Sequence, residues 1–171
     1  MAIFYGSTSG TWRIVKNGAS RGEGLAEAAY LGVLEDLQAV PKDALWSLRG
    51  IKSHLRYTGA DERKQLEEKQ EGLGRPQATL AAMLPIRKNA AWWKLAQDER
   101  RKIFEEQSHH IKDSLKYLPA IARQLYHSRD LGEPFDFITW FEFAPGDEGA
   151  FDELLGMLRK TEEWDYVERE C

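Results

Sequence analysis

The hydrophobic positions of this chain change their spacing several times, and each change marks out an element. Two short apolar-rich runs, IFYG and TWRIVK, flank Ser7-Thr8-Ser9-Gly10, which predicts an N-terminal hairpin. A glycine-rich connection (17–24) follows, and residues 25–38, alanine-rich and weakly patterned, look helical. From Leu45 to Tyr57 the pattern alternates: Leu45, Ile51, Leu55 and Tyr57 share one face, while Lys52, His54 and Arg56 point the other way, as in a long strand. Residues 60–71 (ADERKQLEEKQE) form a strongly charged helix, stopped by Gly72 and Gly74 ahead of Pro76. Ala78–Ile86 reads as a strand with Leu80, Ala82, Leu84 and Ile86 aligned. A long helical region (about 91–115), a strand over 120–127, a turn at Asp130-Leu131-Gly132 and a strand over 135–143 come next. In that last strand Phe135, Phe137, Phe141 and Phe143 have the same parity. Asp147 stands as a cap, Phe151, Leu154, Leu155 and Leu158 make one helical stripe, Thr161 starts a short turn, and Trp164–Glu170 closes the chain as a strand.

From residue 78 the predicted order is β-α-β-β-α-β, the ferredoxin-like pattern. The first 77 residues look like a partial version of the same unit. Two such units side by side make an α+β barrel, and no flexible linker separates them. The expectation is one domain over 1–171, with a partial half (1–77) and a complete half (78–171).

Composition narrows the function. With 42% hydrophobic residues the chain can bury a core, and a net charge of −4 without a dense basic block argues against nucleic acid as a partner. Attraction for an anion must then come from a local cation. No apolar run approaches the roughly 18 residues of a membrane span, and MAIFYGSTSG lacks a secretory pattern. The lone cysteine, Cys171, makes no disulfide framework, so a cytoplasmic location is expected.

Candidate chemistry concentrates between Ala90 and Arg129. His109 and His110 diverge by about 100° on a helix. His109 shares its face with Lys102, Glu105, Glu106, Lys112 and Asp113, whereas His110 lies seven residues from both Ile103 and Tyr117 and is the interior one. Such a histidine is either a hydrogen-bonded core residue or a ligand. Arg123 shares parity with Ile121 and Leu125, so it points inward, where an unpaired guanidinium costs several kcal/mol. It either pairs with a core carboxylate or sits over a bound anion. Together, the two residues point to a haem with an anionic substrate between them. Trp92-Trp93, beside Arg87-Lys88, either pack a helix or wall a cofactor whose carboxylates the cations hold. Glu162 and Glu163 are either surface acids or a hydrogen-bond partner for a ligating histidine. Gln70 has only a solvated reading by pattern. A covalent haem-attachment motif, a phosphate loop, a nucleophile elbow and zinc-ligand spacings are absent from the sequence.

Three runs, AAWWKLAQDERRKIFEEQSHHI, LKYLPAIARQLYHSRDLGEPFDFITWFEFAP and LRKTEEWDYVERE, with LRGIKSHLRY and EEKQEGLGRP upstream, resemble the chlorite dismutases, in particular their short, dimeric branch. The resemblance implies a homodimeric α+β barrel that carries one haem b per subunit. It also implies conversion of chlorite to chloride and dioxygen through a ferryl intermediate, with a chlorine-oxide fragment held by a distal arginine. Residue by residue, the iron-binding proximal histidine falls on His110 and the distal arginine, thirteen residues later, on Arg123. The glutamate bonded to the histidine falls on Glu163, with Glu162 as the alternative, the distal glutamine on Gln70, and the tryptophan at the haem edge on Trp92. The short N-terminal region matches the dimeric branch, while the final strand stops at Cys171, short of where relatives often continue. Related activities compete with this one: a haem peroxidase, a coprohaem-processing relative (which Arg123 argues against), and a haem-binding barrel without catalysis.

Overall fold

A computed structural model describes residues 1–35, 38–53, 72–107, 115–117 and 119–171. The charged helix at 60–71 with Gln70, and the histidines His109 and His110, lie outside the described residues.

The first half supplies four strands, β1 (Ala2–Ser7), β2 (Trp12–Arg13), β3 (Tyr30–Glu35) and β4 (Trp46–Lys52). The expected hairpin between IFYG and TWRIVK does not form. β2 pairs with β3, and β1 lies between β3 and β4, antiparallel to both. The helix expected over 25–38 is corrected too, because its second half is β3, in register with β1 from Ala2↔Glu35 to Ser7↔Tyr30. The reason is local. Gly32 would cost about 1 kcal/mol inside a helix, whereas in the sheet it lies opposite Tyr5, whose ring fills the space any side chain there would need.

The second half follows the predicted order with shifted bounds. β5 (Leu80–Lys88) is followed by α1 (Ala90–Lys94), α2 (Gln97–Arg101) and a π-helical turn (Lys102–Gln107). β6 (Ala122–His127), β7 (Phe137–Phe143), α3 (Glu148–Leu158), a 3₁₀ turn (Glu162–Tyr166) and β8 (Val167–Glu170) complete it. The helical region expected over 91–115 is thus interrupted. Asn89 caps α1 by accepting from Trp92 N at 3.0 Å, Leu95 and Ala96 are extended, and the Glu99 carboxylate accepts from Ala96 N at 2.6 Å to start the next helix.

Among the described residues the strands form one antiparallel sheet in the order β2-β3-β1-β4-β6-β7-β5-β8. The last four run β8-β5-β7-β6, so each helical crossover joins two strands with a third inserted between them, the ferredoxin-like arrangement. Two residue pairs, Ile51↔His127 and Lys52↔Tyr126, join the halves. The sheet curls strongly. Five strand spacings separate β2 from β7, about 24 Å if flat, yet the rings of Trp12 and Trp140 are 5.6 Å apart. Inside the curl Phe4, Leu48, Tyr126, Phe135, Ile138 and Trp140 form one core. On the opposite face of the second half, Leu84, Ile86, Phe141 and Phe143 pack against Phe151, Leu154, Leu155 and Leu158 of α3. Phe135, expected to share a face with Phe141 and Phe143, precedes β7 and belongs to the inner core instead.

Candidate active site

Strand register fixes where the candidate cation sits. β6 pairs with β7 so that Arg123 lies directly opposite Phe141 and Leu125 opposite Thr139. Directly opposed residues share a face, and Phe141 belongs to the core beneath α3. Half-buried Arg123 therefore stands on the helix-covered face, as its parity with Ile121 and Leu125 predicts. Farther along that face the row Ile51, His127, Phe137 and Ile86 crosses four strands, and Ile51 is 49% exposed.

The other described candidates meet at the far end of β5. Lys88 continues the alternation of Leu84 and Ile86, so its side chain enters the interior, next to a register shift of β5 against β8. The Lys88 ammonium lies 2.7 Å from Glu163 Oε1 and donates to the Glu163 carbonyl at 3.2 Å. Both side chains are at least nine-tenths buried. Burial pulls the Lys88 ammonium below the usual lysine range, and the charges of Glu163 and Asp136 partly restore it. Of the two adjacent acids, Glu163 is interior and Glu162 exposed, because the 3₁₀ turn puts consecutive residues on different sides. The π-helical turn 102–107, just before His109 and His110, packs against this same turn.

Trp92 is buried, with its ring 5.4 Å from that of Tyr166 and the Lys88 ammonium 4.5 Å from its centroid. Trp93 turns the other way. It stacks on Phe137 at 6.1 Å and carries the Arg129 guanidinium 3.8 Å from its ring. The structure thus brings Lys88, Trp92 and Glu163 together, and sets Arg123 on the neighbouring sheet surface.

Two acids were missed by the sequence analysis. Asp136 is buried and accepts from Lys88 N at 2.7 Å, Arg129 Nη1 at 3.0 Å and Trp93 Nε1 at 3.3 Å, so it locks the shifted end of β5. Glu142, also buried, accepts from Trp140 Nε1 at 2.8 Å and Gly74 N at 2.6 Å. For Glu142 the available signal was parity: it alternates with Phe141 and Phe143 and shares the Trp140 side of β7, which faces the inner core; Asp136 precedes the strand and gave no such signal. Among the described residues no cluster of three or more metal-ligating side chains occurs. No helix among them is long and apolar enough to cross a membrane.

Comparison with known proteins gives a consistent picture. A family model described as chlorite dismutase matches residues 31–171. A dimeric chlorite dismutase from Nitrobacter winogradskyi superposes with a TM-score of 0.93 at 55% identity, over 99% of this chain and 95% of that one. A chlorite dismutase from Candidatus Nitrospira defluvii, in complex with imidazole, superposes at 0.62 with 30% identity, over 75% of this chain and 51% of that one. A curated chlorite dismutase from Ideonella dechloratans is 36% identical over 126 residues, 72% of this chain. The match spans 42% of that relative's length.

Proposed function

This chain belongs to the chlorite dismutase family, and on that premise we propose that it is a homodimeric haem b enzyme that decomposes chlorite to chloride and dioxygen. The observation that carries this reading is Arg123: a guanidinium on the helix-covered face of the sheet, directly opposite Phe141 in a largely apolar surround. The dimer rests on the similarity to the dimeric enzyme of Nitrobacter winogradskyi.

The residues present suit haem b. Arg123, Leu125, His127, Phe137 and partly exposed Ile51 share one face of the sheet, and a buried carboxylate, Glu163, is held beside the turn that leads to His110. In this assignment His110 would ligate the iron and Glu163 would accept a hydrogen bond from the other imidazole nitrogen, which makes the ligand more electron-rich. Lys88 fixes the rotamer of Glu163 by the 2.7 Å pair and fills the space beside Trp92, which walls the site. When bound, haem supplies the redox-active iron at which the O–Cl bond of chlorite breaks and the O–O bond forms.

The chain's own work is electrostatic. Arg123 draws the anion in and holds the chlorine-oxide fragment until both oxygen atoms leave as dioxygen. Gln70 limits the swing of the guanidinium. In a water-poor site one such contact supplies about 2–4 kcal/mol.

The test is oxygen evolution from added chlorite by the haem-loaded protein, with Arg123→Ala beside the wild type. The variant is expected to keep its Soret band, to lose about a hundredfold in oxygen yield before inactivation, and to leak hypochlorite that added methionine captures. Wild-type yield and endurance in Arg123→Ala, or a haem-loaded wild type that evolves no oxygen, would overturn the proposal.

A further inference from the structure

Three stretches of the chain carry the proposed site: the one ending near Gln70, the one holding His110 and the strand bearing Arg123. One side chain touches what lies between them. Arg75, five residues after Gln70, donates from Nη1 to the carbonyl of Pro119 at 2.9 Å and from Nη2 to that of Ala120 at 2.8 Å. Nη2 also reaches the Glu142 carbonyl at 3.4 Å. The turn it grips, closed by Ile121 N donating to Tyr117 O at 3.1 Å, ends three residues before Arg123. It begins seven residues after His110.

The grip has a built seat. Gly74 adopts φ +80°, a backbone that side chains disfavour, and its N–H donates to Glu142 Oε2 at 2.6 Å. The other oxygen of Glu142 is held by the Trp140 indole at 2.8 Å. Glu142 lies directly opposite Ala122, the residue before Arg123, on the reverse face of the sheet. A planar guanidinium that meets two successive carbonyls fixes both position and rotation of the turn, which a single ammonium does not. Any looseness in the first residues of β6 is magnified at the tip of the long Arg123 side chain.

We propose that Arg75, seated by Glu142, is a positioning residue that sets where Arg123 stands relative to the chlorite-binding side of the site. The effect on turnover rests on the function proposed above; the effect on the strand does not.

The experiment compares haem-loaded wild type, Arg75→Lys, Arg75→Gln, Arg123→Ala and the Arg75→Gln/Arg123→Ala double variant. Amide hydrogen exchange over residues 121–124, read without substrate, is expected to quicken in Arg75→Gln with an unchanged Soret band. The kcat/KM for chlorite per folded holoenzyme should fall about ten- to a hundredfold, as displacements near 1 Å do, with Arg75→Lys in between. In the Arg123→Ala background the same Arg75→Gln change should cost less than about twofold, because the two residues act through one another. A lower melting temperature with unchanged exchange at 121–124 and unchanged kcat/KM would overturn the proposal, as would a fully additive double variant. If no form evolves oxygen the chlorite reading fails alone, and the exchange data still decide: quickening confined to 121–124 supports the clamp, and none sinks it.

Discussion

The two halves of the molecule use their interiors differently. Among the described residues the strands β1–β4 bury aromatic and aliphatic side chains, and their buried polar residue is Ser7. Beyond residue 80 the strands and the turns beside them bury Lys88, Asp136, Glu142, Glu163 and Glu170. A buried ion pair stabilises little over a well-packed apolar pair of similar volume, and breaking one is costly. The difference therefore separates a half that is packed for stability from a half that gives up stability for chemistry and placement.

The largest effect should follow from breaking the pair that marks the second half. Lys88→Met fills the volume but strands the Glu163 carboxylate, and is expected to lower stability by about 3–5 kcal/mol. Adding Glu163→Gln should return the protein to within about 1 kcal/mol of wild type and, under the proposed haem assignment, leave the reduction potential raised. Denaturant unfolding of the three variants checks this; a double variant as unstable as the single would make the pair a structural element.

In the first half the counterpart is Phe4, fully buried, with its ring 5.1 Å from Tyr126 and 5.8 Å from Trp140 across the joint. Phe4→Ala should cost about 3 kcal/mol through the cavity it leaves, yet oxygen yield per folded enzyme should stay at wild type. A yield that falls with stability would erase the contrast between the halves.

The smallest effect sharpens the boundary itself. His127 pairs across the joint with Ile51 and contacts Ser53 Oγ at 3.1 Å. Burial lowers its pKa below the usual 6.5, against the opposing pull of Asp130. The unfolded chain thus binds the proton more readily, so the stability associated with His127 is complete above pH 6.5 and is lost as pH falls towards the folded value. His127→Gln should flatten that decline on the acid side of pH 6.5, measured by thermal unfolding; an unaltered slope would exclude His127 as its source.

Legibility in the sequence followed the clarity of each period. β7 and the stripe of α3 could be read because alternation and 3.6-residue spacing are each unambiguous there. β3 could not, since 25–38 has no dominant period and its strand character comes from the Tyr5 ring lying over Gly32. The interruption at Leu95 and Ala96 was hidden because Glu99 serves equally well inside a helix and at its start. At the site, parity alone put Arg123 on the face it shares with Ile121 and Leu125, the one that α3 covers. That Glu163 rather than Glu162 is the interior acid follows from the 3₁₀ turn, and the partnership of Lys88 with a residue 75 positions away leaves no local trace in the sequence. Asp136 and Arg75 make their key contacts through side chains reaching distant backbone, which leaves no periodic trace.

The isolated bridge between Arg21 and Glu170 bears on a different property, colloidal behaviour. β8 would present an open edge beyond β5, and an open edge is a template for a neighbouring sheet. Here Ser20 and Arg21 occupy it: Glu170 exchanges backbone bonds with Arg21 N and O at 3.4 and 3.0 Å, and the Arg21 guanidinium takes the carbonyls of Trp164 and Val167 at 2.9 and 3.0 Å. The fully buried Glu170 carboxylate secures the cover through Ser20, Arg159 and Trp164. The connection between β2 and β3 thus acts as a guard against strand addition, and its loss would be felt first as aggregation in concentrated solution.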